Sequence, residues 1–483
     1  MQLSPAVTTL SRCFCSSDVG IQECRTTLHR EPMRRVLLVE RYENGAAKRW
    51  IPEDTREGRR PSKELSWLPD SLRSFILPEG FPGSVSDDYL EYMLLQFPTN
   101  VTGWVCHTLV TSSLLKAVGV GSFSGSAAAA SAAVIRWVSK DGLGAVGRLF
   151  VGGRFGKIFD DDPKLWRMYA DFIGSTGSIF DLSTQLCPSY FLLLASLGNL
   201  SKAVARGLKD PSFRVIQTHF AISGNLGEIS AKEEVWEVAA QLLGLGIGIL
   251  ILDTSRLQTS YSTLALTWLS IRLLHLVLRY QSLSALRFST INLKRARVLV
   301  KSHVSNRTVP GSAVCNREED ILSWERFLRP RIVFGVSFEQ TISWDNSSQT
   351  VEAVLKLYSK ESYILFVNNE QPEPKFLVCL KDYDVPNFDW IFISMPIIAD
   401  RSNRLTLVRS LWQAYWLDSN WNSGSDCLLG KLEESLVELE ADFDDFLMKM
   451  KRSGWDDDAI NIKVPKGPQL EEASETLDSG WRS

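Results

Sequence analysis

The chain has 483 residues, enough for two or three domains, and a net charge of −3 that argues against a nucleic-acid-binding protein. Its mean hydropathy of −0.04 is lower than that of a transporter with many membrane spans. Eight cysteines are scattered along the chain without the spacing of a zinc site. We therefore expect that the cysteines are reduced thiols and do not form a disulfide framework. We also expect no bound metal.

The N-terminal region, residues 1–63, is rich in Ser, Thr and Arg and contains few acids near its start. It has no continuous apolar run of the kind that forms a secretory signal. The composition fits an organelle transit peptide, and a merely disordered tail accounts for it as well. We predict a transit-like or disordered region here and a membrane-associated protein of the chloroplast or another plastid.

Four stretches in the middle of the chain have the composition of buried helices or membrane spans: residues 101–123, 125–138, 238–252 and 264–278. A span needs about 20 apolar residues, so the third stretch is short. Arg272 and His275 interrupt the fourth, where a charge is costly inside a bilayer. Gly244 and Gly248 would let helices approach closely in lipid or in a soluble core. Membrane association is favoured, and a soluble helical core stays open.

A glycine motif follows these first stretches. Gly142, Gly144 and Gly147 match the GxGxxG pattern of dinucleotide-binding proteins. That motif requires a preceding strand, whereas an alanine-rich helix-forming segment stands before it. We interpret the segment as a glycine-rich hinge, and a dinucleotide-dependent enzyme is the least favoured function.

The aspartates at 160–162, which precede Pro163, predict the start of a helix. Asp162 suits the N-cap and Pro163 suits the first helical position. Arg167 and Asp171 are four residues apart, so they share a helix face and can pair. A metal-binding aspartate cluster is the alternative, but no second group of acidic ligands follows nearby.

His219, Asn225 and Glu228 form a candidate polar site. One histidine without a nucleophile beside it is weak support for acid–base chemistry, and capping of a helix near Ser230 explains the segment equally well. No GxSxG, HExxH or Walker sequence occurs. We therefore expect no enzyme activity and no cofactor.

From about residue 323 the pattern changes to short strands and amphipathic helices. RIVFGVSFEQTI, YILFVNN and KFLVCLKDY predict strands, with the helix VEAVLKLYSKE between the first two and two longer helices after the third. The predicted fold class is mainly α with a smaller α+β C-terminal domain and a Gly/Ala-rich, membrane-like helical bundle in the middle. The predicted regions are 1–63, 64–300 (helical), 301–455 (α+β) and 456–483 (tail).

Three blocks, at residues 77–98, 140–171 and 218–244, resemble the plant root UV-B sensitive family in their sequence and their order. The resemblance extends over about 64–300, and we expect the chain to be one of the family's later-numbered paralogues. The matched positions are Lys140, Asp141, Gly142, Gly144, Gly147, Phe159, Asp160, Pro163, Lys164, Trp166, Arg167, Asp171, His219, Asn225, Leu226 and Gly227.

The resemblance implies links to UV-B responses, seedling development, auxin transport and vitamin B6 balance, with plastid or membrane association and pairing between family members. It carries over no catalytic residue. We therefore expect a non-enzymatic, membrane-associated regulatory or scaffold protein that binds a protein partner such as a family paralogue. The alternative is a carrier or binding protein for a small molecule related to vitamin B6 or auxin. It would use Lys140, Arg154, Arg167 and His219 around the hinge.

Overall fold

The structure is a computed structural model, and the chain divides into two units, residues 1–73 and 74–483. It describes residues 23–26, 38–41, 47–52, 69–118, 161–254, 260–323, 329–337, 348–368, 374–381, 397–398, 401–421 and 428–464. In the first unit, strands β1 (Glu23–Thr26), β2 (Leu38–Arg41) and β3 (Ala47–Pro52) form a sheet. The central strand β3 pairs parallel with β1 and antiparallel with β2. The sequence does not predict these strands, although their β-branched and aromatic residues favour them.

Helices follow from residue 70, and most of them are long. Their bounds are α1 (Asp70–Ile76), α2 (Tyr89–Val118), α3 (Pro163–Ser183), α4 (Phe191–Phe220), α5 (Leu226–Leu252) and α6 (Tyr261–Ser284). A short 3-10 turn, Pro188–Tyr190, precedes α4. Of the predicted apolar stretches, 101–123 falls partly in α2, 238–252 ends α5 and 264–278 lies within α6, while 125–138 lies outside the described residues.

Helices α3 and α4 form a closely packed hairpin. A Cβ added at Gly177 would lie 2.7 Å from the carbonyl oxygen of Gly198, so both positions need glycine. The start of α3 is as predicted, because an Asp162 carboxylate oxygen accepts a hydrogen bond of 3.1 Å from the Leu165 amide and Pro163 occupies the first turn.

Helix α2 packs between α5 and α6. A Cβ at Gly244 would lie 2.7 Å from the Val101 carbonyl oxygen, and one at Gly248 would lie 2.8 Å from Cβ of Thr108. The predicted close approach at these two glycines is therefore confirmed. On the other side of α2, its apolar residues join Leu264 and others in a buried cluster.

The C-terminal part combines helices with a small sheet. Its elements are α7 (Leu293–Asn306), α8 (Ser312–Glu318), β4 (Arg331–Phe334), α9 (Ser348–Leu357), β5 (Tyr363–Asn368), β6 (Lys375–Leu380), β7 (Ile397–Ile398), α10 (Arg401–Ser419), α11 (Leu428–Arg452) and β8 (Lys463–Val464). In the main sheet β6 is central, parallel to β4 and antiparallel to β5. Short β7 and β8 pair with each other.

One hydrophobic core joins this sheet to the helices around it, with Trp412 of α10 fully buried and Phe443 of α11 packed in the same cluster. The predicted fold class, mainly α with a small α+β C-terminal part, is confirmed. Helix α7 runs across the predicted boundary at residue 300, and residues before and after that position, such as Leu299 and Val304, pack in this core. The domain boundaries given above stay predictions. Cys106, Cys315 and Cys379 are buried thiols that form no disulfide bond, and Cys187 is an exposed one.

Candidate functional site

The carboxylate of Asp171, on α3, lies at the centre of a cluster of cations. Arg279 of α6 approaches it closely, with its Nε 2.5 Å from Oδ2. Arg272 of the same helix lies 3.8 Å from Oδ1, donates to the Asp171 carbonyl oxygen at 2.6 Å, and donates to the Ser175 hydroxyl at 2.6 Å. Arg279 also donates to the side-chain oxygen of Gln96 on α2. Helices α3 and α6 therefore meet at this carboxylate, and α2 is joined to it through Arg279.

His275 adds a further nitrogen to this cluster. Its Nδ1 lies 2.9 Å from the Thr99 carbonyl oxygen, which can only accept, so the proton of a neutral ring is on Nδ1. The other nitrogen, Nε2, then faces Oδ1 of Asp171 at 3.5 Å. A Cβ at Gly103 would lie 3.2 Å from the imidazole, so this glycine leaves room for the ring.

Arg167 lies on α3, one turn before Asp171, with 1% of its surface exposed. Its Nη1 is 3.9 Å from Oδ2 of Asp171, so the predicted pair is present, but Arg279 has the better geometry. Its Nε has no hydrogen-bond partner among the described residues, and neither has the buried hydroxyl of Tyr92. We call Asp171, Arg167, Arg272, His275 and Arg279 the Asp171 cluster.

Helix α6 presents its charged side to the protein and its apolar side outward. The inward positions recur at helical spacing and are Trp268, Arg272, His275 and Arg279. The exposed apolar positions follow the opposite face and are Leu266, Leu269, Leu273 and Val277. This is the reverse of an ordinary soluble helix, whose apolar stripe faces the core.

Helix α5 has the same outward character, with Leu242 68% and Leu250 73% exposed. Among the described residues, α5 and α6 are the two helices that have the length and apolar composition to cross a membrane. At 27 and 24 residues they are about 40 and 36 Å long, more than the roughly 30 Å of hydrocarbon that a span must cross.

A second buried ionic cluster, the Glu319 cluster, joins the start of α3 to α7 and the end of α8. Lys164 donates to Glu319 and to the side-chain oxygen of Asn316, each at 3.0 Å. Arg295 donates to the same carboxylate through Nε and Nη2 at 3.2 Å, and Asn292 donates to it at 3.2 Å. Burial alone would raise the pKa of Glu319, but Arg295 and Lys164 hold that pKa below its usual range. Every cation here is hydrogen-bonded, which is the pattern of a structural cluster.

His219, near the end of α4, does not join the predicted polar site. Its Nε2 lies 3.0 Å from Oδ2 of Asp88, which also accepts the Arg287 backbone N–H at 2.6 Å. Burial raises the pKa of Asp88, yet the hydrogen bonds and the charge of His219 leave that pKa lowered overall. The histidine is therefore a bridge between α4 and the segments before α2 and after α6.

The other members of that predicted site are elsewhere. A Glu228 carboxylate oxygen accepts the backbone N–H of Glu79 at 2.5 Å. Helix α5 begins at Leu226, not near Ser230, and the Asn225 side chain before it makes no capping hydrogen bond.

The remaining predicted positions are only partly described. Lys140, Asp141, Gly142, Gly144, Gly147, Arg154, Phe159 and Asp160 lie outside the described residues. Lys164 is fully buried in the Glu319 cluster, and Trp166 packs edge-on against Tyr169. Within the described part of the chain, no group of three or more His, Cys, Asp or Glu side chains has metal-binding geometry.

Sequence reasoning missed Gln96, Arg272 and Arg279 as partners of the motif residues. The signal that could have found them is the spacing of Arg272, His275 and Arg279 in an otherwise apolar run, which places all three on one helix face. Such a face requires an acidic or polar partner inside the protein.

Comparisons with known proteins place this arrangement in a family. A vitamin B6 photo-protection and homoeostasis domain matches residues 62–307. Protein root UVB sensitive 5 of Arabidopsis thaliana is 54% identical over 468 residues, covering 91% of this chain and 88% of the relative. Protein root UVB sensitive 6 of the same plant is 31% identical over 295 residues, covering 61% of this chain and 56% of the relative.

A third relative, Protein root UVB sensitive 2, chloroplastic, from Arabidopsis thaliana, is 29% identical over 257 residues, covering 53% of this chain and 58% of the relative. No solved structure matches the chain. The domain match covers more than half of the chain, and the first relative aligns over most of both proteins. The chain therefore belongs to the root UVB sensitive family.

Proposed function

We propose that this protein acts in vitamin B6 homoeostasis as a membrane protein, with α5 and α6 inserted in the bilayer and the C-terminal α+β part in water. The main support for this proposal is that α6 has one apolar face and one charged face. Its leucines face outward, and its two arginines and histidine face Asp171 inside the bundle. Ionisable groups of membrane proteins face the bundle interior and pair there, because exposure to lipid is costly.

This arrangement removes the objection that Arg272 and His275 raise against a span at 264–278. Neither side chain has to face lipid, because both contact the aspartate of α3. The close contacts at Gly244 and Gly248 support the same proposal, since small residues let membrane helices pack tightly.

Membrane fractionation tests the proposal. The native protein is expected to pellet with membranes, to resist high salt and to stay in the pellet after alkaline carbonate treatment. The double variant Leu242→Glu/Leu273→Glu is expected to lose carbonate resistance, because both leucines lie on the outward face. Val437→Glu, at an equally exposed apolar site on α11, is the matched control and should behave as wild type. Full recovery of the native protein in the soluble fraction would contradict the proposal.

A location in the plastid is part of the same proposal. It is supported by the Ser-, Thr- and Arg-rich composition of residues 1–63 and by the chloroplastic relative. A fluorescent fusion of the full chain is expected in plastids, and the same fusion without residues 1–63 is expected outside them. Unchanged plastid import of the shortened chain would contradict the transit role.

We propose a regulatory or scaffold role, with no reaction of its own, in which a protein partner binds. An open cleft of about 1020 Å³ between α2, α6 and α8 supports this role. Its wall combines Glu91 and Arg287 with exposed apolar groups such as Tyr280 and Val314. A photo-crosslinking amino acid in place of Val314 is expected to give a protein adduct in plant membranes, whereas the same group at Val437 should not. Equal labelling from both sites would argue against a partner at the cleft.

A second function, carriage or binding of a small molecule, is favoured by the incompletely paired Asp171 cluster inside an outwardly apolar bundle. Ionisable side chains that face the interior of a membrane helix bundle mark substrate and ion pathways. Uptake of vitamin B6 vitamers and of auxin into proteoliposomes tests it. If the Arg167→Ala variant takes up these molecules as well as wild type does, Arg167 is not the group that binds them.

A further inference from the structure

We infer that the Asp171 cluster binds a dianionic oxyanion, such as the phosphate monoester group of a small molecule. The inference deepens the second function above and rests on it for its biological meaning. The binding itself is argued from the charges, the hydrogen-bond donors and the accessibility of the cluster.

The charges of the cluster do not balance. Arg167, Arg272 and Arg279 contribute three guanidinium groups, and Asp171 contributes the single carboxylate that they all contact. His275 contributes no negative charge. Lys209 and Glu237 also lie within electrostatic range of Arg167, but they form an ion pair with each other at 3.9 Å and their charges cancel. Two positive charges therefore remain at a site where the arginine side chains are 2 to 12% exposed. Buried charge of this kind is costly unless a counter-charge is bound, and a dianion supplies two.

Three buried atoms in and beside the cluster have no hydrogen-bond partner among the described residues: Nε of Arg167, the hydroxyl of Tyr92 and Nε2 of His275, which is an acceptor in the tautomer given above. The Nε of Arg167 and the hydroxyl of Tyr92 each carry a proton. Tyr92 lies within electrostatic range of Arg279 and Arg167. Arg167 and Tyr92 can both donate, so a ligand at this site has to supply an acceptor to these two groups. A phosphate oxygen is an acceptor that arginine binds with favourable geometry.

The Glu319 cluster shows what a structural cluster in the same protein looks like. There Arg295 donates through Nε, Nη1 and Nη2, to Glu319 and to the Thr290 carbonyl oxygen. Lys164 likewise has two acceptors at 3.0 Å. Arg167 has neither feature, although it is as deeply buried as Arg295. Arg295, whose donors all have acceptors within the protein, therefore has a structural role, whereas Arg167 keeps a donor that a ligand can use.

The Asp171 cluster is not sealed. The side chains of Asp171 and Arg272 retain 14% and 12% of their surface, whereas those of Arg167 and Arg279 retain 2% each. The accessible edge is thus beside the carboxylate and Arg272, and Arg167 lies deeper. An oxyanion that enters along this edge meets Arg272 before it reaches Arg167.

Thermal unfolding of the purified full-length protein in detergent tests the inference. The probes are inorganic phosphate, pyridoxine 5′-phosphate and pyridoxine, with sodium chloride at matched ionic strength as the reference. Above their Kd, phosphate and pyridoxine 5′-phosphate are expected to raise Tm in proportion to the logarithm of their concentration, by about 3 °C at roughly ten times Kd. Pyridoxine, which has no phosphate group, should leave Tm unchanged. A response to inorganic phosphate alone would assign the site to the free ion, and an equal response to pyridoxine would overturn the inference.

Variants separate binding from folding. Arg167→Gln is expected to keep or raise the Tm of the unliganded protein, because it removes excess positive charge, and to lose the phosphate response. Arg167→Lys should recover part of that response. Arg287→Gln, in an exposed ion pair with Glu91, is the matched control and should respond as wild type. A fully retained phosphate response in Arg167→Gln, or its unfolding without ligand, would overturn the inference. Uptake of the vitamers into proteoliposomes tests the second function separately. A phosphate response without uptake would contradict that function and leave the binding site in place, whereas uptake without a phosphate response would overturn the binding site alone.

Discussion

Arg279 and Asp171 join α6 to α3 through a contact of 2.5 Å between Nε and Oδ2. The same guanidinium donates to Gln96, so α2 is held at the same point. The three helices are far apart in sequence. Their polar contact fixes how the helices of the bundle are arranged around one carboxylate.

Replacing Asp171 with Asn is expected to destabilise the protein by about 3–5 kcal/mol, because three guanidinium groups lose the carboxylate that they share. Chemical unfolding in detergent measures the loss. The control is Arg287→Gln, whose exposed ion pair with Glu91 should contribute about 0.2–1 kcal/mol. Equal effects of the two variants would contradict the central place given to Asp171.

Two glycines of α5 form a matched pair for testing helix contact. Gly244→Ala is expected to lose about 1–3 kcal/mol, because the new Cβ would lie 2.7 Å from both the Val101 carbonyl oxygen and Cβ of Trp104. Gly246→Ala places its Cβ in open space and should gain up to about 1 kcal/mol of helix propensity. Thermal unfolding of both variants measures the difference, and a loss at Gly246 as large as that at Gly244 would show that α5 packs differently.

His303 makes stability depend on pH. Trp412 Nε1 donates to Nδ1 of His303 at 3.1 Å, so the neutral ring holds its proton on Nε2, which lies 3.3 Å from Oδ2 of Asp445. Burial lowers the pKa of His303, and the hydrogen bond to Asp445 only partly opposes this. As pH falls below about 6.5, the unfolded chain therefore gains a proton that the folded chain resists.

The free energy of unfolding should thus decline between about pH 6.5 and the lower pKa of the folded state, and the contribution is fully present above pH 6.5. Denaturant unfolding of wild type and of His303→Gln at pH 8 and pH 5.5 measures it. The variant, which does not titrate, should show a smaller pH dependence than wild type. An identical dependence in both proteins would exclude His303 as its source.

The parts of the site that depend on local sequence could be predicted. Asp162 and Pro163 start α3 as their positions indicate, because capping requires only the next few residues. Arg167 and Asp171 share a face because helix geometry fixes the spacing. The strands β4, β5 and β6 could also be predicted, because each is a short apolar run between turn residues.

The contacts between distant segments could not be predicted in this way. Asp171 meets Arg279 across 108 positions, and His219 meets Asp88 across 131. No periodicity within one helix specifies which other helix it faces. His219 therefore looked like part of a site with Asn225 and Glu228, whereas tertiary packing gives it a partner before α2.

The most direct test of the proposed membrane location is cysteine labelling in intact membranes. In a chain whose eight native cysteines are replaced, Leu242→Cys and Leu273→Cys probe the outward faces of α5 and α6, and Val437→Cys probes α11. These side chains are 68%, 56% and 64% exposed in the protein alone, so protein packing does not distinguish them. A water-soluble maleimide is predicted to label Val437→Cys and to leave the other two unlabelled. Labelling of all three to the same extent would contradict insertion of α5 and α6 in the bilayer.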